Sequence, residues 1–147
     1  MSIGTDSAVK ARSESGRART LSVWAGGISA AIGVVHTVFF SIKTWPQWGD
    51  WISGGLHGTD TLKDPAVLAS ARDFWSLSGS FAVPLILLGL LISHMARTGQ
   101  KIPSYLGWAL GVWVLVNAWI LEPSGFPLGI IPVALLLLAK RAEHRNR

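Results

Sequence analysis

Residues 74–95 read FWSLSGSFAVPLILLGLLISHM, twenty-two consecutive residues without Asp, Glu, Lys or Arg. At a helical rise of about 1.5 Å per residue this run reaches across a hydrocarbon core of about 30 Å. Asp73 bounds it on one side and Arg97 on the other. Its uncharged length is that of a membrane span, longer than a soluble core helix needs.

Outward from this run lie three more of the same character, over 21–42, 102–121 and 124–139. The composition agrees: half of the 147 residues are hydrophobic, only 14% are charged, and eight are Trp, the balance of one membrane domain. The predicted fold is all-α, an integral membrane four-helix bundle with a short interfacial amphipathic helix between spans 1 and 2. The last run, with Pro127 and Pro132, is the shortest and is expected to be tilted or kinked. The first run follows a basic segment, as a secretory signal would. It ends in Phe39-Phe40-Ser41-Ile42-Lys43 without a small-x-small cleavage site, so it reads as a retained span.

Residues 1–20, polar and basic, read as a disordered cytoplasmic arm, and 140–147 as a basic cytoplasmic tail. Of the 13 Lys and Arg, four lie in the arm, two in the turn at 97–101 and four in the tail, against three in the connector 43–73. This positive-inside bias puts both termini in the cytoplasm of a bacterial inner membrane and the connector outside. The net charge of +5 is gathered in short clusters between apolar runs, a distribution that excludes a nucleic-acid groove. With no Cys, disulfides, thiolate metal sites and cysteine nucleophiles are excluded. No span carries a pair of metal ligands at one-turn spacing, so neither a metal nor another cofactor is predicted.

The connector holds Trp45, Trp48 and Trp51 at three-residue spacing, which predicts one side of a short helix lying in the headgroup zone. Pro46 suits its first turn and Gly54-Gly55 its end. A second short helix is expected over 65–72.

Ionisable and amide groups inside a bilayer are costly and are retained for a partner, a pathway or a ligand. His36 lies six residues before the end of the first run, Ser80 six residues into the second, and Asn117 four before the end of the third. On three helices these reach one outer-leaflet level. Pro84 has no N–H, so the carbonyl of Ser80 becomes a candidate acceptor for His36, beside Ser78 and Asn117. Just above, Asp73 and Glu122 offer carboxylates for proton exchange with His36. The candidate site therefore comprises His36, Glu122 and Asp73 as acid–base groups, with Ser78, Ser80, Asn117, Trp45, Trp48, Trp51 and Trp75 as ligand-binding residues. Plainer readings stand beside these: His36 satisfied by a carbonyl, Asn117 as interhelical glue, Asp73 as a helix N-cap. Small residues recur at Ala25, Ser29 and Gly33, and at Gly107 and Gly111, stripes that permit close helix packing. His36 follows Gly33 by three residues and is expected to point inward with that stripe.

The entry Ala71-Arg72-Asp73-Phe74-Trp75, the run Gly89-Leu90-Leu91, Ile102-Pro103 with Gly107-Trp108, and Pro123-Ser124-Gly125-Phe126 resemble a bacterial, largely actinobacterial family of small four-span membrane proteins of unknown function. The resemblance covers about residues 24–138 and includes His36; it implies the architecture and no reaction. A weaker likeness exists to small membrane proteins of the DoxX type. Three kinds of function fit. The first is binding of a hydrophobic or amphipathic small molecule or lipid in an outer-leaflet cavity. The second is a membrane-embedded acid–base enzyme, an isomerase, cyclase or hydrolase. The third is an accessory subunit, assembled with a membrane partner or as a homo-oligomer.

Overall fold

The computed structural model describes residues 3–57, 64–77, 80–121 and 124–144, with side chains from Ser13 onward. The described chain is all-α. Helix α1 (Ile3–Thr44) is followed by a 3-10 turn (Trp45–Gln47) and a short α2 (Trp48–Ile52). Then come α3 (Pro65–Leu77), α4 (Ala82–Arg97), α5 (Ser104–Ile120), a second 3-10 turn (Phe126–Gly129) and α6 (Ile130–His144). Two stretches, Ser13–Ile52 and Pro65–Arg97, are long and apolar enough to cross a membrane, with mean hydropathies of 1.7 and 1.9.

The elements depart from the sequence expectation at four places. Helix α1 begins at Ile3 and takes in most of the segment expected to be a disordered arm. That segment carries three Ala and three Arg, good helix formers, and extending an existing helix is far easier than nucleating one. The run 74–95 is divided between α3 and α4. Asp64 caps α3, its Oδ1 accepting from the Ala66 N–H at 2.8 Å, with Pro65 at the first helical position. Ser80 caps α4 in the same way, its Oγ accepting from the Ala82 N–H at 3.2 Å, which puts Pro84 in the first turn of α4, where its missing N–H costs nothing. Asp73 therefore lies inside α3 and caps no helix. Finally, α6 starts at Ile130 and carries on through Lys140 to His144, so the basic tail begins as helix.

Two ends need glycine. Gly54 (φ +88°) follows α2, and Gly99 (φ +73°) follows α4. At the second, the N–H of Gln100 reaches the Met95 carbonyl at 2.8 Å and that of Gly99 the Ala96 carbonyl at 3.3 Å, a Schellman closure.

Two compact units emerge, one of residues 1–30 and 87–147, the other of residues 31–86. In the first, Ala25, Ile92 and Leu136 form the buried centre, with Leu88, Ile102, Leu106, Leu110 and Leu135 against it. Here α1 and α4 touch backbone to backbone. A Cβ placed on Gly89 would lie 2.5 Å from the Gly26 carbonyl oxygen and 2.6 Å from the Ala30 nitrogen. Ser93 Oγ donates to the Val23 carbonyl at 3.1 Å beside this crossing. Gly107 and Gly111 instead make room for side chains of α6, Leu137 and Val133, each 3.2 Å from the place a Cβ would take. In the second unit, Gly33 faces the Ala82 carbonyl and Ile86.

The buried set is small: Ala18, Ala25, Ala30, Ala82, Ala96, Ala139, Ser22 and Ser29 are all nearly covered. Large apolar side chains point outward, among them Trp24, Val35, Phe39, Leu87, Val112, Leu115 and Trp119, the last 88% exposed. In water so many exposed large apolar side chains would be unfavourable. Against lipid it is the favourable arrangement, because helices there associate through close packing of small residues and gain nothing by hiding Leu from hydrocarbon.

Candidate functional site

Within the second unit, one face of α3 receives three side chains in succession. Ser70, Asp73 and Ser76 recur every three residues and so share that face. Trp51 Nε1 donates to Ser70 Oγ at 2.9 Å. Gln47 Nε2 donates to Asp73 Oδ2 at 2.6 Å. His36 Nε2 lies 3.0 Å from the Ser76 carbonyl oxygen. The connector turn and the end of α1 are thereby laid along α3 one helical turn at a time.

The bond at Ser76 follows from the break between α3 and α4. In an uninterrupted helix the Ser80 N–H would close on the Ser76 carbonyl; here it lies 3.4 Å from the Leu77 carbonyl instead. The Ser76 carbonyl takes the imidazole N–H in its place. A carbonyl only accepts, so Nε2 holds the hydrogen and, in the neutral ring, Nδ1 is the acceptor. The ring packs between Phe40 and Phe81, with centroid distances of 4.5 and 5.2 Å. His36 was expected to find the Ser80 carbonyl; the helix break moves the open carbonyl back to Ser76.

Gln47 was not singled out by the sequence reading, although it is the one amide between Trp45 and Trp51. Its Oε1 is buried with no hydrogen-bond partner among the described residues, a situation that folded proteins rarely leave unexplained. Thr44, which is buried, donates to the Phe40 carbonyl at 2.8 Å. Its Oγ1 in turn accepts from Trp48 Nε1 at 3.3 Å.

The three Trp do not line one side of a single helix. Trp45 and Trp48 straddle the 3-10 turn, where residues three apart eclipse, and their rings meet at 5.4 Å. Trp51 turns instead to α3, meeting Phe74 edge-on at 5.5 Å. Trp75 is exposed, with its ring 6.3 Å from that of Phe74. Ser80 Oγ donates to the Leu77 carbonyl at 2.7 Å besides capping α4. Asn117, in the other unit, gives its Nδ2 hydrogen to the Trp113 carbonyl of its own helix at 2.8 Å. Ser78 and Glu122 lie outside the described residues. No group of three metal-ligating side chains occurs among the described residues.

What the site offers is mostly acceptors. His36 Nδ1, Gln47 Oε1 and the second oxygen of Asp73 all accept. The nitrogen donors, His36 Nε2, Gln47 Nε2 and Trp51 Nε1, are already engaged, while the Ser70 hydroxyl, which accepts from Trp51, keeps a hydrogen of its own.

The model of a family of unknown function, DUF6463, matches residues 20–143. No curated protein and no solved structure matches the chain.

Proposed function

This chain belongs to the family of unknown function DUF6463, and from that premise we propose a multi-pass protein of the bacterial cytoplasmic membrane that binds an amphipathic molecule or lipid through a hydroxyl or amine head. Four spans, formed by the apolar part of α1, the α3–α4 stretch, α5 and α6, leave both termini on the cytoplasmic side. The connector with Trp45, Trp48 and Trp51 then lies at the outer headgroup level, where Trp rings are favoured.

The observation that carries the binding reading is the acceptor set beside Asp73; on the helices that carry it, Val35 and Phe39 of α1 and Trp75 of α3 are exposed. Gln47 Oε1 is left without a donor among the described residues, and a ligand O–H or N–H supplies one. The apolar part of such a molecule reaches the site from the bilayer. Proton transfer between His36 and a carboxylate has less behind it: His36 is held by a carbonyl, and Asp73 by Gln47.

The test is native mass spectrometry of the detergent-extracted protein with two probes of equal chain length, a monoacylglycerol and a fatty-acid methyl ester. The monoacylglycerol, which has O–H donors, is expected to bind and the ester to bind weakly. His36→Ala and Gln47→Leu should each abolish the difference. Equal binding of both probes to the unaltered protein would refute the reading.

A further inference from the structure

Helices α5 and α6 run antiparallel within the first unit: Gly107 faces Leu137, Gly111 faces Val133 and Gly129 faces Val114. That contact takes up the two glycines of α5 and leaves the opposite side of the helix uncovered. There Tyr105, Trp108, Val112, Leu115 and Trp119 follow one another in steps of three, four, three and four, which is one continuous helix face. All five are between 61% and 88% exposed. The chemistry of the face says what covers it. A second helix packing in lipid needs small residues at the seam so that the backbones can approach, and the glycines already face α6. What remains is bulky, with aromatic rings at both ends and Lys101 just before Tyr105, the order in which water, headgroup level and acyl chains are met. Lipid is the occupant that suits it.

The length of this pair is the informative quantity. Helix α5 has 17 residues, so it is about 25 Å long, and the rings of its outer face are closer still, with about 21 Å of helical rise between Tyr105 and Trp119. On the partner side the apolar stretch begins in the 3-10 turn at Phe126 and ends where α6 reaches Lys140 and Arg141. At about 2.0 Å per residue in the turn and about 1.5 Å beyond it, that stretch is about 23 Å. The apolar part of α1, residues 21–42, is by contrast about 33 Å long and matches a hydrocarbon core of about 30 Å. Both α5 and α6 fall short of that core by several ångströms. Tilting a short helix only reduces its reach. Lys140 can extend outward on its stem at one end, but Trp119 has no such stem at the other. The remaining accommodation is a thinner bilayer.

We infer that the stripe from Tyr105 to Trp119 is a lipid-facing surface fitted to a thin shell of short-chain phospholipids. In a membrane of uneven thickness the chain gathers where the bilayer is thin. The inference rests on the membrane reading above, but on different residues and a different unit from the His36 site.

Because the chain has no Cys, a fluorophore can be placed at Leu115→Cys on the stripe or at Val35→Cys, an exposed position of α1. The full chain is reconstituted in phosphatidylcholine vesicles that mix a brominated, quenching lipid of about 18 carbons per chain with an unbrominated lipid of about 14, about 18 or about 22 carbons. At Leu115→Cys the shortest lipid should exclude the quencher about fivefold better than the lipid of matched length, the small cost per ångström of mismatch being summed over several ångströms; at Val35→Cys it should do no better. Adding Trp119→Leu to Leu115→Cys removes the ring that holds Ile120 and Leu121 at the headgroup level, and should move the preference toward about 18 carbons without lowering the unfolding temperature. Equal quenching at Leu115→Cys whatever the chain length overturns the inference, and so does a preference that Trp119→Leu leaves unchanged. A label at Leu115→Cys that no lipid quenches, in a chain that native mass spectrometry shows as a dimer, gives the stripe to a second copy and overturns it as well. Release from the vesicles by alkaline carbonate would overturn the membrane reading itself; a chain that stays in them yet prefers lipid of about 18 carbons at Leu115→Cys overturns this inference alone.

Discussion

Gln47 Nε2 donates to Asp73 Oδ2 at 2.6 Å, and this bond joins the turn at the end of α1 to the middle of α3. Residues twenty-six positions apart are thereby fixed, with Trp51 on Ser70 about one turn before Asp73 and His36 on Ser76 about one turn after it. Asp73→Ala should lower stability by about 1–3 kcal/mol, because it leaves a part-buried amide without its acceptor. The double variant Gln47→Met with Asp73→Leu should recover most of the loss. Thermal unfolding in detergent decides it, and no loss in Asp73→Ala would remove this bond from the account.

His36 replaces a backbone N–H that the helix break takes away from Ser76. His36→Phe keeps a ring between Phe40 and Phe81 but gives no hydrogen to the carbonyl. Faster amide exchange around residues 80–82 is expected, with a cost of about 1–2 kcal/mol. Exchange equal to that of the unaltered protein would mean that the imidazole does not support the junction.

Gly26 and Gly89 bring two backbones into contact, and a side chain at either has nowhere to go. Gly89→Val should destabilise by at least about 1–3 kcal/mol, the usual penalty for overpacking. Gly27, with open space around its Cβ position, is the control: Gly27→Ala should be neutral or stabilising, by up to about 1 kcal/mol. Equal unfolding temperatures for the two variants would contradict the crossing.

The absence of Cys makes single-cysteine labelling clean. A membrane-impermeant maleimide is expected to reach Ser53→Cys on intact cells and Gln100→Cys only after the membrane is opened. Both positions are exposed. Labelling of Gln100→Cys in intact cells, or of neither after opening, would reject the proposed orientation.

The helical class, the approximate extent of each apolar run and the stripe of Ala25, Ser29 and Gly33 were all legible in the linear order of residues. They depend on hydropathy and on the 3.6-residue period, which are local properties. The break at Ser80 was written there too, as a Ser-x-x-x-Pro entry to a helix, but an uninterrupted hydrophobic run concealed it. The contacts of the site were not legible. That Gln47 meets Asp73 and that His36 meets Ser76 depend on which helices approach and at what height. Hydrogen bonds act over about 3 Å, so a displacement of a single turn, about 5.4 Å, would have assigned every one of those side chains a different partner.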